Sequence, residues 1–127
     1  EVTVPSQLRY SKDHEWVLID GSRARVGITD YAQDALGDVV FVQLPTVGDK
    51  YFSGAQCCEV ESTKSVSDIY VPIEGCVSLT NEKLLVTPGL LNSDPYGDGW
   101  IFELALADSV STNDLVTSDQ YRQLIEG

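Results

Sequence analysis

The chain is expected to fold as an all-β sandwich or flattened barrel with short peripheral helices. Three observations predict this. Short runs rich in β-branched and aromatic residues recur along the chain, turn-forming Gly, Pro, Asn and Asp punctuate them, and helical spacing of apolar residues is confined to brief stretches and the C-terminal end. With 127 residues, 43% of them hydrophobic, the chain can bury one core and is short for two. A single domain over 1–127 is expected, with a β core at about 9–107 and a helical segment at about 111–126.

Trp16, Val17, Leu18 and Ile19 run into Asp20-Gly21, a pair suited to the positive φ angles of a tight hairpin, and Arg25-Val26-Gly27-Ile28 returns. Asp30 and Gln33 have capping-box spacing, and Gly37 can end a helix in the left-handed conformation, which predicts about two helical turns between them. Val39-Val40-Phe41-Val42-Gln43-Leu44 is almost continuously apolar, the pattern of a strand covered on both faces until Pro45 stops it. After turns at Gly48-Asp49-Lys50 and Ser53-Gly54, strands are expected from Gln56 to Glu61 and from Val66 to Val71. The small polar Ser62-Thr63-Lys64-Ser65 separates them, and Cys76-Val77-Ser78-Leu79 begins another strand after Glu74-Gly75.

Thr87-Pro88 reads as a helix N-cap followed by proline at the first helical position, with Asn92-Ser93-Asp94-Pro95 breaking the helix soon after. Residues 94–99 are rich in Asp and Gly but lack the alternating oxygen ligands of a calcium loop, so they are taken as a turn. Trp100 to Leu106 is a strand. Ser111 with Asp114 and Thr117 with Gln120 have capping spacing, and Tyr121, Leu124 and Ile125 recur at helical intervals, so one or two short helices are expected to pack on the β core.

Twenty acidic against eight basic residues give a net charge of −12. That charge repels phosphate backbones and anionic membrane surfaces, and no basic cluster offers a local exception, so neither nucleic acid nor membrane is an expected partner. No stretch approaches the roughly 20 apolar residues needed to span a bilayer. The chain contains no methionine and begins at Glu1, so its natural start is expected to have been trimmed. Of the three cysteines, Cys57 and Cys58 are adjacent; on a regular strand they point to opposite faces, poorly placed to pair or share a metal. They are expected to be reduced. The single histidine, His14, and the absence of CxxC leave no zinc site, and no metal is expected.

Lys64 lies between two apolar strands, ten residues after Gly54 and eleven before Gly75. By position alone it is an ordinary solvated lysine in a turn. Its surroundings say more. Glu61-Ser62-Thr63-Lys64-Ser65, followed by Ser67-Asp68-Ile69-Tyr70, Pro72 and Gly75, resembles the lipoylation segment of glycine cleavage system H proteins. Lys12-Asp13-His14-Glu15-Trp16, Gly27-Ile28-Thr29-Asp30-Tyr31-Ala32-Gln33, Leu36-Gly37-Asp38-Val39-Val40-Phe41-Val42, Asn81-Glu82 and Asn92-Ser93-Asp94-Pro95-Tyr96-Gly97-Asp98-Gly99-Trp100 resemble further segments of that family, in its order and spacing.

The resemblance implies a barrel-sandwich hybrid of the lipoyl and biotinyl carrier type, and a carrier with no turnover of its own. Lipoate would be held as N6-lipoyllysine at Lys64, installed by a lipoate ligase or lipoyl transferase, with Glu61 and Ser65 beside the attachment point. The arm would take the aminomethyl group of glycine from the decarboxylase P protein to the aminomethyltransferase T protein and be reoxidised by dihydrolipoamide dehydrogenase. By the same resemblance Glu15, Asp13, Ile28 and Asp68 line a cleft sheltering the loaded arm. Asp13 stands where relatives often have a hydroxyl residue, and Glu15 is either a cleft ligand or an exposed charge at a strand edge. His14 is either a proton shuttle or a structural histidine beside Trp16. The resemblance further implies a monomer in the bacterial cytoplasm, or in the mitochondrial matrix after removal of a transit peptide.

The nearest rival is a biotin carrier, but that family's lysine is flanked by methionines. A lipoyl domain of a 2-oxo-acid dehydrogenase is shorter and lacks the N-terminal His14-Glu15-Trp16 segment and the C-terminal helices. An H-like protein acting in lipoate relay, or as an unmodified interaction module, would share the fold. No nucleophile, base and orienter set argues for an enzyme.

Overall fold

A computed structural model of the chain describes residues 2–108 and 110–126; Glu1 and Gly127, the ends of the expected domain, lie outside them. Strands β1 (Arg9–Tyr10), β2 (Glu15–Asp20) and β3 (Arg23–Ile28) are followed by helix α1 (Asp30–Leu36) and by β4 (Val39–Gln43). Next come β5 (Lys50–Tyr51), β6 (Gln56–Ser62), β7 (Val66–Tyr70) and β8 (Gly75–Thr80). Two single-turn helices, α2 (Lys83–Val86) and α3 (Leu90–Ser93), precede β9 (Phe102–Ala105) and the C-terminal α4 (Ser118–Glu126). The strands form two antiparallel sheets, one ordered β1-β2-β3-β9-β8-β5 and the other β4-β6-β7. This is the expected all-β architecture with short helices, open rather than closed into one barrel.

Local chemistry accounts for most elements. Asp20 pairs with Arg23, so the first hairpin's tip is Gly21-Ser22 rather than Asp20-Gly21, and Gly21 takes φ +61°. Thr29, not Asp30, caps α1: its Oγ accepts from the Ala32 N–H at 3.2 Å, while Asp30 accepts from the side chain of Gln33 at 2.7 Å. Gly37 ends the helix at φ +83°. Thr117 and Gln120 form a reciprocal capping box, with Thr117 N–H donating to Oε1 of Gln120 at 2.9 Å and Gln120 N–H to Oγ of Thr117 at 3.3 Å. Ser111 makes only a turn with the Asn113 N–H, leaving one C-terminal helix among the described residues. The helix expected after Thr87-Pro88 starts at Leu90, because the N–H groups of Leu90 and Leu91 first close a turn on the carbonyls of Thr87 and Pro88.

Two expectations fail for the same reason. β4 is not covered on both faces: Val39 and Val42 are buried, but Val40 and Phe41 are 49% and 55% exposed. Val39 pairs with Ser62 and Phe41 with Glu61, so Val40 is an inserted bulge residue, and the apolar run does not alternate as a flat strand would. Similarly, Gln56 pairs with Tyr70 and Cys58 with Ile69, leaving Cys57 as the extra residue. The bulge cancels the alternation that was expected to separate the adjacent cysteines; their sulfurs lie 3.5 Å apart.

The main core fills the space between the sheets with Val26, Val42, Val60, Ile69 and Phe102. A second cluster, Val4, Leu8, Tyr10, Trp16 and Tyr121, lies beneath α4, where the Tyr10 and Tyr121 rings stack at 4.8 Å. Gly27 faces Trp16 across the β2–β3 ladder, and a methyl there would lie 2.5 Å from the indole nitrogen. That nitrogen donates to the Pro95 carbonyl at 2.9 Å, which ties the turn at residues 94–99 to β2.

Candidate carrier site

The β6–β7 hairpin ends in Ser62-Thr63-Lys64-Ser65. The buried Ser62 hydroxyl organises it, accepting from the N–H groups of Lys64 and Ser65 at 3.1 Å each and donating to the Ser65 carbonyl at 3.2 Å. Thr63 N–H donates to the Asp38 carbonyl at 3.0 Å, fastening the tip to the start of β4. Lys64 is exposed and forms no ion pair among the described residues. Its stem crosses Gly37, where a β-carbon would lie only 2.9 Å from Lys64 Cε. The glycine that ends α1 thus also leaves room for the lysine. Asn92 locks this seat, accepting from the Val39 N–H at 2.9 Å and donating to the Gly37 carbonyl and to Oε1 of Gln33.

A cleft of about 250 Å³ begins at the tip. One wall is the outer part of the hairpin from Ser65 to Ile69, including Asp68; the other is α1, through Tyr31, Ala32, Ala35 and Leu36. Asp13, His14 and Ile28 close its far end. Asp13, Ile28, Asp68 and Ser65 are therefore brought together. Asp68 also accepts from the Gln56 amide at 2.9 Å. Glu61 stands outside the cleft, exposed between its cross-strand neighbours Phe41 and Val66.

Glu15 is neither an exposed edge charge nor a cleft wall. It is 1% exposed, accepting from the Ser11 hydroxyl at 2.6 Å and from the Tyr70 N–H at 3.2 Å. Burial raises its pKa from 4.5 to about 8, against the smaller opposing effect of these bonds, so it holds its proton at neutral pH. His14, at φ +69°, is not bonded to Trp16. Its Nδ1 lies 2.8 Å from the Tyr121 hydroxyl, which is also 2.8 Å from Oγ of Thr29. Thr29 is fully buried, and its oxygen already accepts from Ala32. All three groups are satisfied when Thr29 donates to Tyr121 and Tyr121 donates to Nδ1, leaving the histidine proton on Nε2. Burial lowers the His14 pKa, which favours the neutral ring.

Sequence reasoning missed Ser11, Asn92 and Tyr121. Each acts on a residue that only tertiary structure brings near, 107 positions away for Tyr121 and His14. The capping signal at Thr117 located α4 but not the direction in which its tyrosine points.

Two packed antiparallel sheets with an exposed lysine, Lys64, at a hairpin tip beside a cleft give the architecture of the lipoyl-carrier class of β folds. The family model described as "Glycine cleavage H-protein" matches residues 8–127. The chain is 46% identical to the glycine cleavage system H protein of Halothermothrix orenii, covering 98% of each, and 51% identical to that of Micrococcus luteus, covering 94% of each. It superposes on the crystal structure of a glycine cleavage system H protein from Mycobacterium marinum with a TM-score of 0.85 and 38% identity, covering 98% of this chain and all of the other. The chain belongs to the glycine cleavage H-protein family. It is a non-catalytic lipoyl carrier component of the glycine cleavage system.

Proposed function

We propose that Lys64 carries lipoate as an amide on its ε-nitrogen, that Glu61 and Ser65 flank the grip of the ligase or lipoyl transferase that installs it, and that the cleft shelters the loaded arm. The observation that supports this best is the seat of Lys64: exposed, free of ion pairs among the described residues, and laid over Gly37 at the cleft's mouth. When bound there, lipoate supplies a disulfide that takes up the one-carbon unit and is reduced in the process.

The residues of this chain do the rest. The aminomethyl adduct would be cationic, and Asp13 and Asp68 offer it two carboxylates in a cleft that Ile28 and Tyr31 also line. Glu15, uncharged at rest, is the cross-strand partner of the cleft residue Ile28; an approaching cation would favour its ionised form and draw its pKa down. The decarboxylase P protein, the aminomethyltransferase T protein and dihydrolipoamide dehydrogenase would meet the arm in turn, with the net charge of −12 favouring basic docking clefts. A cytoplasmic location accompanies this reading; among the described residues no helix is long and apolar enough to cross a membrane.

Intact mass after incubation with lipoate, ATP and a lipoate ligase tests the attachment. Wild type should gain one lipoyl group and Lys64→Ala none; a gain that persists in Lys64→Ala would falsify the site. Lipoylated protein should then support glycine-dependent exchange of carbon dioxide with P protein, whereas Lys64→Ala should not.

A further inference from the structure

Cys57 and Cys58 take no part in the carrier site, yet they form the one close thiol pair among the described residues. The bulge places their sulfurs 3.5 Å apart on the core side of the β4-β6-β7 sheet. Cys57 Sγ also lies 3.5 Å from the Ile69 carbonyl, so Cys57 donates there while Cys58 donates to Cys57. Cys58 is 3% exposed; Cys57 is only half-buried and leaves a route from solvent.

We infer that Cys57 and Cys58 form a vicinal dithiol that chelates thiophilic ligands of the monosubstituted trivalent arsenical class. Two sulfurs bonded to one pyramidal trivalent arsenic, with bonds of about 2.3 Å as in a zinc thiolate and an angle of roughly 100°, stand roughly 3.5 Å apart, the spacing already present. An internal disulfide fits less well. Adjacent α-carbons joined by a trans peptide are about 3.8 Å apart, shorter than the roughly 4.4 Å minimum usual for disulfides. A four-ligand metal site is also disfavoured, because no group of three or more His, Cys, Asp or Glu converges among the described residues. Two thiols suit an atom whose remaining valence is filled by carbon. With an arsine oxide, two S–H bonds break, two As–S bonds form, and the oxygen leaves with both protons as water. Arsenic stays trivalent and no oxidant is needed.

The test uses full-length Lys64→Ala, which has no lipoyl sulfur, and phenylarsine oxide as the probe. Non-denaturing intact mass should show one phenylarsenic group per chain with loss of two hydrogens. Cys76→Ser in that background should bind equally, and Cys57→Ser should lose the adduct. Cys57 is half-buried, so this variant's fold can be checked by circular dichroism, and Cys58→Ala gives a second reading. The chelate should survive excess monothiol and be stripped by a small dithiol. An adduct that persists with folded Cys57→Ser, depends on Cys76, fails to form on the folded parent, or yields equally to monothiol overturns the inference.

Discussion

Replacing Glu15 by Gln should make the protein markedly less sensitive to alkaline pH. Glutamine keeps the shape of the buried side chain, can still accept from the Tyr70 N–H, and can donate to Ser11, but it has no proton to lose. In wild type the carboxyl pKa rises from 4.5 to about 8 on folding. Between those values the unfolded chain has released a proton that the folded chain still holds, so stability falls as pH rises and levels off once both states are ionised. At about 1.4 kcal/mol per pH unit, the loss reaches about 3 kcal/mol at pH 7 and up to about 5 kcal/mol above pH 8. His14 works in the opposite sense, since its lowered pKa removes stability as pH falls below 6.5; it is common to both proteins and cancels in their difference. Urea unfolding followed by tryptophan fluorescence, at intervals from pH 4 to pH 9, measures that difference. The variant should gain on wild type steadily above pH 4.5. Parallel stability curves would refute the buried, protonated carboxyl.

Other outcomes follow from the seat and the α1 anchors. Gly37→Ala places a β-carbon 2.9 Å from Lys64 Cε at φ +83° and ψ −161°, a backbone region almost confined to glycine, and should cost about 1–3 kcal/mol in thermal unfolding. It should also slow lipoylation severalfold in a mass time course. Asn92→Ala removes the partners of the Val39 N–H and the Gly37 carbonyl, and should cost about 2–3 kcal/mol by urea titration. Tyr121→Phe removes the hydroxyl between Thr29 and His14, at about 1–2 kcal/mol. Nitrogen NMR of His14 should show its proton on Nε2 in wild type and a mixture of tautomers in the variant.

The strands, the Gly37 stop and the Thr117 capping box were legible because each depends on residues close in sequence. The bulges at Val40 and Cys57 were not, since the residue that a strand leaves unpaired is decided by the register of its partner. The site divides along the same line. Lys64 stood out through the motif around it, and Asp13, Ile28 and Asp68 line one cleft. The wall made by Tyr31, Ala32, Ala35 and Leu36 was hidden, because a two-turn helix carries no mark of which face looks onto a distant hairpin. The burial of Glu15 was hidden too; carboxylates are usually exposed, and the enclosing groups, Ser11 and the Tyr70 backbone, lie on separate elements.

Helix α1 therefore links the two halves of the site. At its first turn Thr29 is held through Tyr121 to His14, at the far end of the cleft; at its last, Gly37 is held by Asn92 and faces Lys64. Seven residues span roughly 10 Å, so these anchors share no partner and are far enough apart for their losses to add if α1 stays in place. Its helical hydrogen bonds alone cannot hold so short a segment, and the distant anchors supply what local propensity lacks. The double variant Tyr121→Phe with Asn92→Ala separates two cases. Additive destabilisation means that each anchor fixes only its own end. A double loss differing from the sum by more than about 0.5 kcal/mol means that α1 moves as one body, carrying the cleft wall and the lysine's seat together.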